Sequence, residues 1–405
     1  MTDEELDKKT KLWHVESALP ADSSLALQTR LQSAAPAARA RRRWQVTGAV
    51  VVLASLPLGG VAVRVSSDYQ LAKSIKIEPL ELFPGERIVN TLSLGSDGTV
   101  AGGTQEIQGI RQDKHSTLWK PGQSRPKRIG LAEVRGILSN SIVVGSVFDK
   151  KSGYNSALWD GDHIRLLQPL AGYVSASANF VLSDGIIGHS RMAQLPGKSP
   201  KEVGTLWHGS KLEPLERDFV FLPQDSPHPI DVNAQSDFLI TSNPYKTKHY
   251  CIYSGNKRTP VLREERDQNK NLMWEADPKF LGKKGMIFGI MSRGGVTQVA
   301  LWTSPSASPR PLWEKSFSFS PMPTACTDAD DEGKVVGTMT SPITETTSLF
   351  LWKAGRYFDL QRLLPPASGW HLTSVLRVEG RFILGQGTYQ GKPSHYRLTL
   401  PPRFP

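Results

Sequence analysis

Apolar and polar positions along most of this chain alternate in short runs rather than at helical spacing, and the runs recur. The plainest recurring stretch is Ser156-Ala157-Leu158-Trp159-Asp160-Gly161. Thr117-Leu118-Trp119, Thr205-Leu206-Trp207, Ala300-Leu301-Trp302 and Phe350-Leu351-Trp352 repeat it, and Cys251-Ile252-Tyr253 and Tyr396-Arg397-Leu398 are weaker copies. A short apolar run with a glycine precedes most copies: Val143-Val144-Gly145, Ile186-Ile187-Gly188, Ile287-Phe288-Gly289, Val335-Val336-Gly337 and Ile383-Leu384-Gly385. The period is about 40 to 50 residues, the range of propellers and arrays.

One unit shows the grammar. Thr91 to Leu94 leads through Ser96-Asp97-Gly98 into Thr99 to Gly102; a variable loop precedes Ser116 to Trp119, and Pro121-Gly122 turns the chain into Lys127 to Leu131. Asp-Gly and Pro-Gly supply the positive φ of tight hairpins. Four short strands joined in this way make one antiparallel blade. The pattern predicts an all-β fold, a seven-bladed β-propeller over 75–405, with six or eight blades as alternatives. The chain ends after a third strand, His395 to Leu400, and begins the domain with a spare one, Ile75 to Leu80. Pairing the two would close the ring and remove the exposed sheet edges. The tryptophans at equivalent places read as packing between blades rather than as ligand contacts.

The repeats resemble the HAF-type extracellular repeats of bacteria, built on Gly…His-Ala-Phe-Leu-Trp…Gly…Leu. The resemblance spans residues of roughly 90 to 400 and rests on the glycine, Leu-Trp and turn positions; the His-Ala-Phe element survives only as Ser-Ala, Val-Ala or Ser-Leu-Phe. It implies a secreted or surface propeller-like domain and brings no activity with it.

Upstream the pattern changes. Residues 1–44 are polar and alanine-rich, a tail expected to lie in the cytoplasm. Residues 45–63 carry no charge and reach roughly 28 Å as a helix, close to a bilayer's hydrocarbon thickness. Arg39, Arg41, Arg42 and Arg43 crowd the N-terminal flank of this run, against Arg64 on the other. The positive-inside rule then keeps the tail in the cytoplasm of a single-pass, inner-membrane protein and exports the domain beyond the 64–74 linker to the periplasm or cell exterior. A cleaved signal peptide is the competing reading, but its n-region would be unusually long and Gly60-Val61-Ala62 is a poor cleavage site.

Composition adds little to this. Lys and Arg number 49 against 38 acids, a formal net charge of +11, but the excess is thinly spread, so nucleic acid is not an expected partner. The two cysteines, Cys251 and Cys326, lie in different repeats; neither a metal site nor a cofactor is expected, and a disulfide has no support. Variable loops on a rigid scaffold concentrate binding residues. The longer loops follow the second and fourth strands of each unit, and their face carries the candidate ligand-binding residues His189, Arg191, Trp274, Arg293, Trp370 and His371, with Trp313, Phe317 and Phe319 nearby. Cations among aromatic rings suit an anionic glycan or a protein partner. Asp328-Ala329-Asp330-Asp331-Glu332-Gly333 reads as an acidic hairpin turn rather than a calcium loop, since it lacks the EF-hand pattern. No local catalytic motif occurs. The expected function is a membrane-anchored binding or interaction module; a glycan hydrolase or lyase, with acids assembled from several blades, and a signalling regulator are the alternatives.

Reporter fusions test the membrane reading: a fusion at Ser67 should report the exported compartment and one at Ser24 the cytoplasm. Periplasmic activity at Ser24, or a mature chain starting near Val63, would refute it.

Overall fold

The computed structural model describes residues 74–405, except 90–91, 108–113, 124, 139–140, 150–152, 183–184, 193–201, 209–210, 215–227, 234, 236, 243–248, 255–256, 263, 267–271, 283–284, 294, 313–321, 342–343, 366 and 405. The tail, the apolar run 45–63 and the linker up to residue 73 lie outside the described residues, as do Trp313, Phe317 and Phe319. Among the described residues no helix is long and apolar enough to cross a membrane.

Seven antiparallel sheets form a β-propeller. Numbering blades by their innermost strand, blade 2 shows the common plan: Glu133–Ile137, Val143–Asp149, Gly153–Trp159 and Ile164–Leu166, in that order from the axis outward. The other inner strands are Ser93–Leu94 (blade 1), Ser175–Val181 (3), His228–Val232 (4), Leu272–Leu281 (5), Met322–Ala329 (6) and Trp370–Glu379 (7). Blades 1 and 5 carry one extra short strand, Glu86–Ile88 and Glu264–Arg266.

The repeat glycine has a steric cause. A Cβ on Gly188 would lie 1.8 Å from the Ser177 carbonyl oxygen, and one on Gly337 1.9 Å from that of Ala325. Gly145, Gly289 and Gly385 meet inner-strand carbonyls in the same way. Each of these glycines faces an inner-strand residue where the register slips by one, as at Ala178/Phe180 and Cys326/Asp328. An inserted residue bends and twists the strand that holds it. In blade 4 Ile240 takes the glycine's place opposite Pro229, and the slip is still there.

The Leu-Trp element sits on the third strand, and its tryptophans are buried. They also bridge blades. The indole N–H of Trp119 donates to the Glu81 carbonyl (2.6 Å), that of Trp207 to Gln168 (2.8 Å) and that of Trp302 to Leu262 (2.7 Å). Each acceptor follows the outermost strand of the preceding blade, so one side chain fills the gap between sheets and also fixes their spacing. A buried bond of this kind contributes about 1 kcal/mol net. Two of the five differ: the indole nitrogen of Trp352 has no hydrogen-bond partner among the described residues, and Trp159 meets blade 1 through Lys127 Nζ, 5.0 Å from its ring.

Ring closure follows the expected pairing. Lys76–Pro79 is the outermost strand of blade 7 and pairs antiparallel with Lys392–Thr399: Lys76 with Thr399, Ile77 with Leu398, Glu78 with Arg397 and Pro79 with Tyr396. Arg397 stands where other blades have the leucine of Leu-Trp, and is 2% exposed. Its Nε donates to Glu78 Oε1 (2.9 Å), while its Nη atoms donate to the carbonyls of Gly98 (2.8 Å), Trp119 (3.2 Å) and Lys120 (3.1 Å). One guanidinium thus joins the last strand, the first strand and blade 1. Both cysteines are free thiols.

Leaving a buried hydrogen-bonding group without its partner costs about 1–3 kcal/mol, and Arg397 serves three backbone carbonyls, whereas its acid partner Glu78 is half-exposed. Arg397→Ala should therefore lower the urea midpoint of unfolding far more than Lys392→Ala on the same strand. Equal midpoints for the two variants would show that the clamp does not hold the ring.

Candidate functional site

The slipped inner strands turn their last residues toward the axis. Where they converge, all seven blades line a cavity of about 440 Å³ that includes Arg135, Asn179, Asp231, Asp328, Arg377 and Glu379. It opens at the end that carries the short turns between first and second strands. A neighbouring cavity of about 470 Å³ shares Asp330, Asp331 and Glu379 with it. In a chain of formal net charge +11, acids gather at this mouth: Asp231, Asp328, Asp330, Asp331 and Glu379.

Two of these acids join neighbouring blades. Asp231 Oδ2 accepts the Leu281 backbone N–H (2.7 Å) and Asp328 Oδ2 that of Val378 (2.8 Å). Each comes directly after an inner-strand slip and reaches the inner strand of the following blade. Asp328 Oδ1 also accepts from Arg377 Nη1 (3.2 Å). The acidic stretch from Asp328 to Gly333 forms the expected hairpin. There the buried Lys334 Nζ donates to Asp330 Oδ2 (3.0 Å) and Glu332 Oε2 (2.6 Å), and Asp330 Oδ1 accepts the Lys334 N–H (2.8 Å).

Desolvation and mutual repulsion raise the pKa of Asp231, Asp328 and Glu379 above the ordinary carboxylate range. Burial pushes Asp231 up to about 7 against its backbone bonds, with Asp328 and Asp331 adding to the rise. Burial likewise raises Asp328 to about 6, outweighing Arg377. Glu379 rises to about 7, first by burial and then through Asp330, Asp331 and Asp328.

The residues singled out from sequence fall elsewhere. None of the six lines this cavity. His189 and Arg191 belong to blade 3, Trp274 and Arg293 to blade 5, and Trp370 and His371 to blade 7, so no two of these pairs sit on adjacent blades. His189 is buried beside Asn179 Oδ1 (3.1 Å), with burial pulling its pKa down, and Arg191 Nε donates to Glu202 Oε1 (2.6 Å). Trp274 and Trp370 are core residues, not loop aromatics. Trp370 stacks on Tyr389 at 5.0 Å and meets the edge of Tyr396. Both tryptophans lie near the start of inner strands that run to ten residues, longer than the turn pattern suggests. Arg293 and His371 are exposed.

No protein-family model and no curated protein matches the chain. Solved structures do resemble it. The acylaminoacyl peptidase of Pyrococcus horikoshii is 12% identical, with a TM-score of 0.37 over 79% of this chain and 58% of its own. TolB of Acinetobacter baumannii is 11% identical, with a TM-score of 0.33 over 78% and 80%. A mutant of Aleuria aurantia lectin in complex with α-methyl-L-fucoside is 11% identical, with a TM-score of 0.31 over 71% and 99%. The chain spans less than two thirds of the peptidase. At these identities the likeness is one of fold alone.

The raised carboxyls tie stability to pH. A carboxyl with a folded pKa near 7 keeps a proton that the unfolded chain releases near 4, so its contribution is full below pH ~4 and is lost as pH rises through 7. His189 and His395, both lowered by burial, act in the opposite sense below their ordinary pKa. Comparing wild type with Glu379→Gln isolates the acid: the variant's advantage in urea midpoint should grow from pH 5.5 to pH 8. A constant difference would mean that Glu379 is ionised throughout.

Proposed function

We propose that this chain is a membrane-anchored, extracytoplasmic propeller that binds a lysine- or arginine-bearing segment of a partner protein at the acidic mouth of its central channel. The observation that carries this is the gathering of Asp231, Asp328, Asp330, Asp331 and Glu379 at one opening. A cation brought there relieves repulsion that folding has already imposed. Spacing favours a side chain over a bare ion. Among the described residues, the group of three whose ligand atoms all come within 4.8 Å of one another lies in blade 1, not in the channel. A cavity of about 440 Å³ admits an extended basic side chain.

Charge sign argues against an anionic glycan at this opening, since its carboxylates or phosphates would meet more carboxylates. The hydrolase reading asks for convergent acids, and these converge. Yet Asp231 and Asp328 each hold a neighbouring blade's N–H, which gives both a structural task. Membrane anchoring rests on the uncharged run 45–63 behind its arginine cluster.

Fluorescence anisotropy of a labelled lysine-rich peptide on the full chain tests the proposal. Binding should weaken with salt and strengthen from pH 6 to pH 8 as the carboxyls ionise. Asp331→Asn combined with Glu379→Gln should weaken it at least tenfold. Unchanged affinity in the double variant, or preferential binding of an acidic oligosaccharide, would overturn the assignment.

A further inference from the structure

Blade 1 holds a second cluster, away from the channel and outside the repeat. Glu86, on Glu86–Ile88, lies directly opposite Glu106 of the strand Val100–Glu106. On that same strand Thr104 faces His115 of Lys114–Trp119. Side chains alternate along a strand, so Glu86, Glu106 and His115 share one face of the blade. One ligand atom from each lies within 4.8 Å of the other two.

Like charges placed directly opposite on neighbouring strands are destabilising. Arg128, on the next strand, offsets part of this by pairing with Glu86 Oε1. The Glu86 side chain is nevertheless 1% exposed, and its other oxygen, Oε2, has no hydrogen-bond partner among the described residues. A buried polar atom left in that state carries its full desolvation cost and calls for an explanation. A divalent cation supplies one, because it satisfies the carboxylate and cancels the charge that Arg128 leaves.

We propose that Glu86, Glu106 and His115 bind a divalent transition-metal ion of the zinc class. Two carboxylates and one imidazole suit that class better than calcium or magnesium, which take oxygen ligands throughout. Glu106 is exposed and His115 half-buried, so the site faces solvent on one side. Three protein ligands leave coordination positions there for water or an exogenous group.

The untagged full-length chain, stripped with a chelator, would be titrated with zinc chloride in competition with a chromophoric chelator. One site per chain is expected. Glu106→Gln and His115→Ala should each weaken it at least tenfold, whereas His163→Ala, at an exposed histidine of blade 2, should not. Zinc should raise the urea midpoint of the wild type and leave that of His115→Ala unmoved. Both test variants alter residues that are not buried, so far-ultraviolet circular dichroism should match the wild type. Absence of a stoichiometric site in the wild type, or undiminished zinc affinity in both variants, would overturn the proposal.

Discussion

The architecture depends on a contact between a glycine and a carbonyl. On the second strand of five blades, no side chain fits between the backbone and the inner-strand oxygen it faces. That closeness accompanies the register slip of the inner strand, and the slip sets which residues face the axis. In blades 4 and 6 the residue just past the slip is an aspartate, Asp231 and Asp328. The same distortion therefore delivers charge to the channel, in blade 6 beside Gly337 and in blade 4 with Ile240 in the glycine's place. Scaffold and site are not separate parts of this sequence.

Between blades, two kinds of link share the load. Near the axis, Asp231 and Asp328 reach backbone N–H groups of the next inner strand. Further out, Trp119, Trp207 and Trp302 reach back to carbonyls of the preceding blade. At the seam, where the ring must join non-consecutive strands, Leu398 stands in the tryptophan position and Arg397 in the leucine position. A hydrophobic side chain could fill that space. Arg397 in addition makes directional bonds to three backbone carbonyls and to Glu78, which specifies the partner strand as well as the packing.

The repeat is readable because it is local. Gly145, Trp159 and the Asp160-Gly161 turn lie within one hairpin pair, so spacing alone reveals blade, strand order and closing strand. The site is not, because its members stand far apart in sequence. Asp231 and Asp328 are single acids in separate blades, and only the ring makes them neighbours. Loop length points to the opposite face and promotes Trp274 and Trp370, whose strands extend further than their turns announce and bury both rings. The acidic hairpin at Asp330 is legible as a turn; its position at the channel mouth is not. Glu86, Glu106 and His115 escape notice for the same reason, lying on three strands with no motif spacing.

Closure across the seam carries a cost in time. The bond between Glu78 and Arg397 spans 319 residues, so the first strand is made long before its partner exists. At synthesis rates of roughly 5–20 residues per second, the delay is on the order of 16 to 64 seconds. For that interval the ring stays open and the strand Lys76–Pro79 has no sheet to join. Its brevity, with Lys76 and Glu78 on either side of Ile77 and a proline at its end, makes it a poor template for pairing with other chains. The sequence of the first strand suits it to waiting.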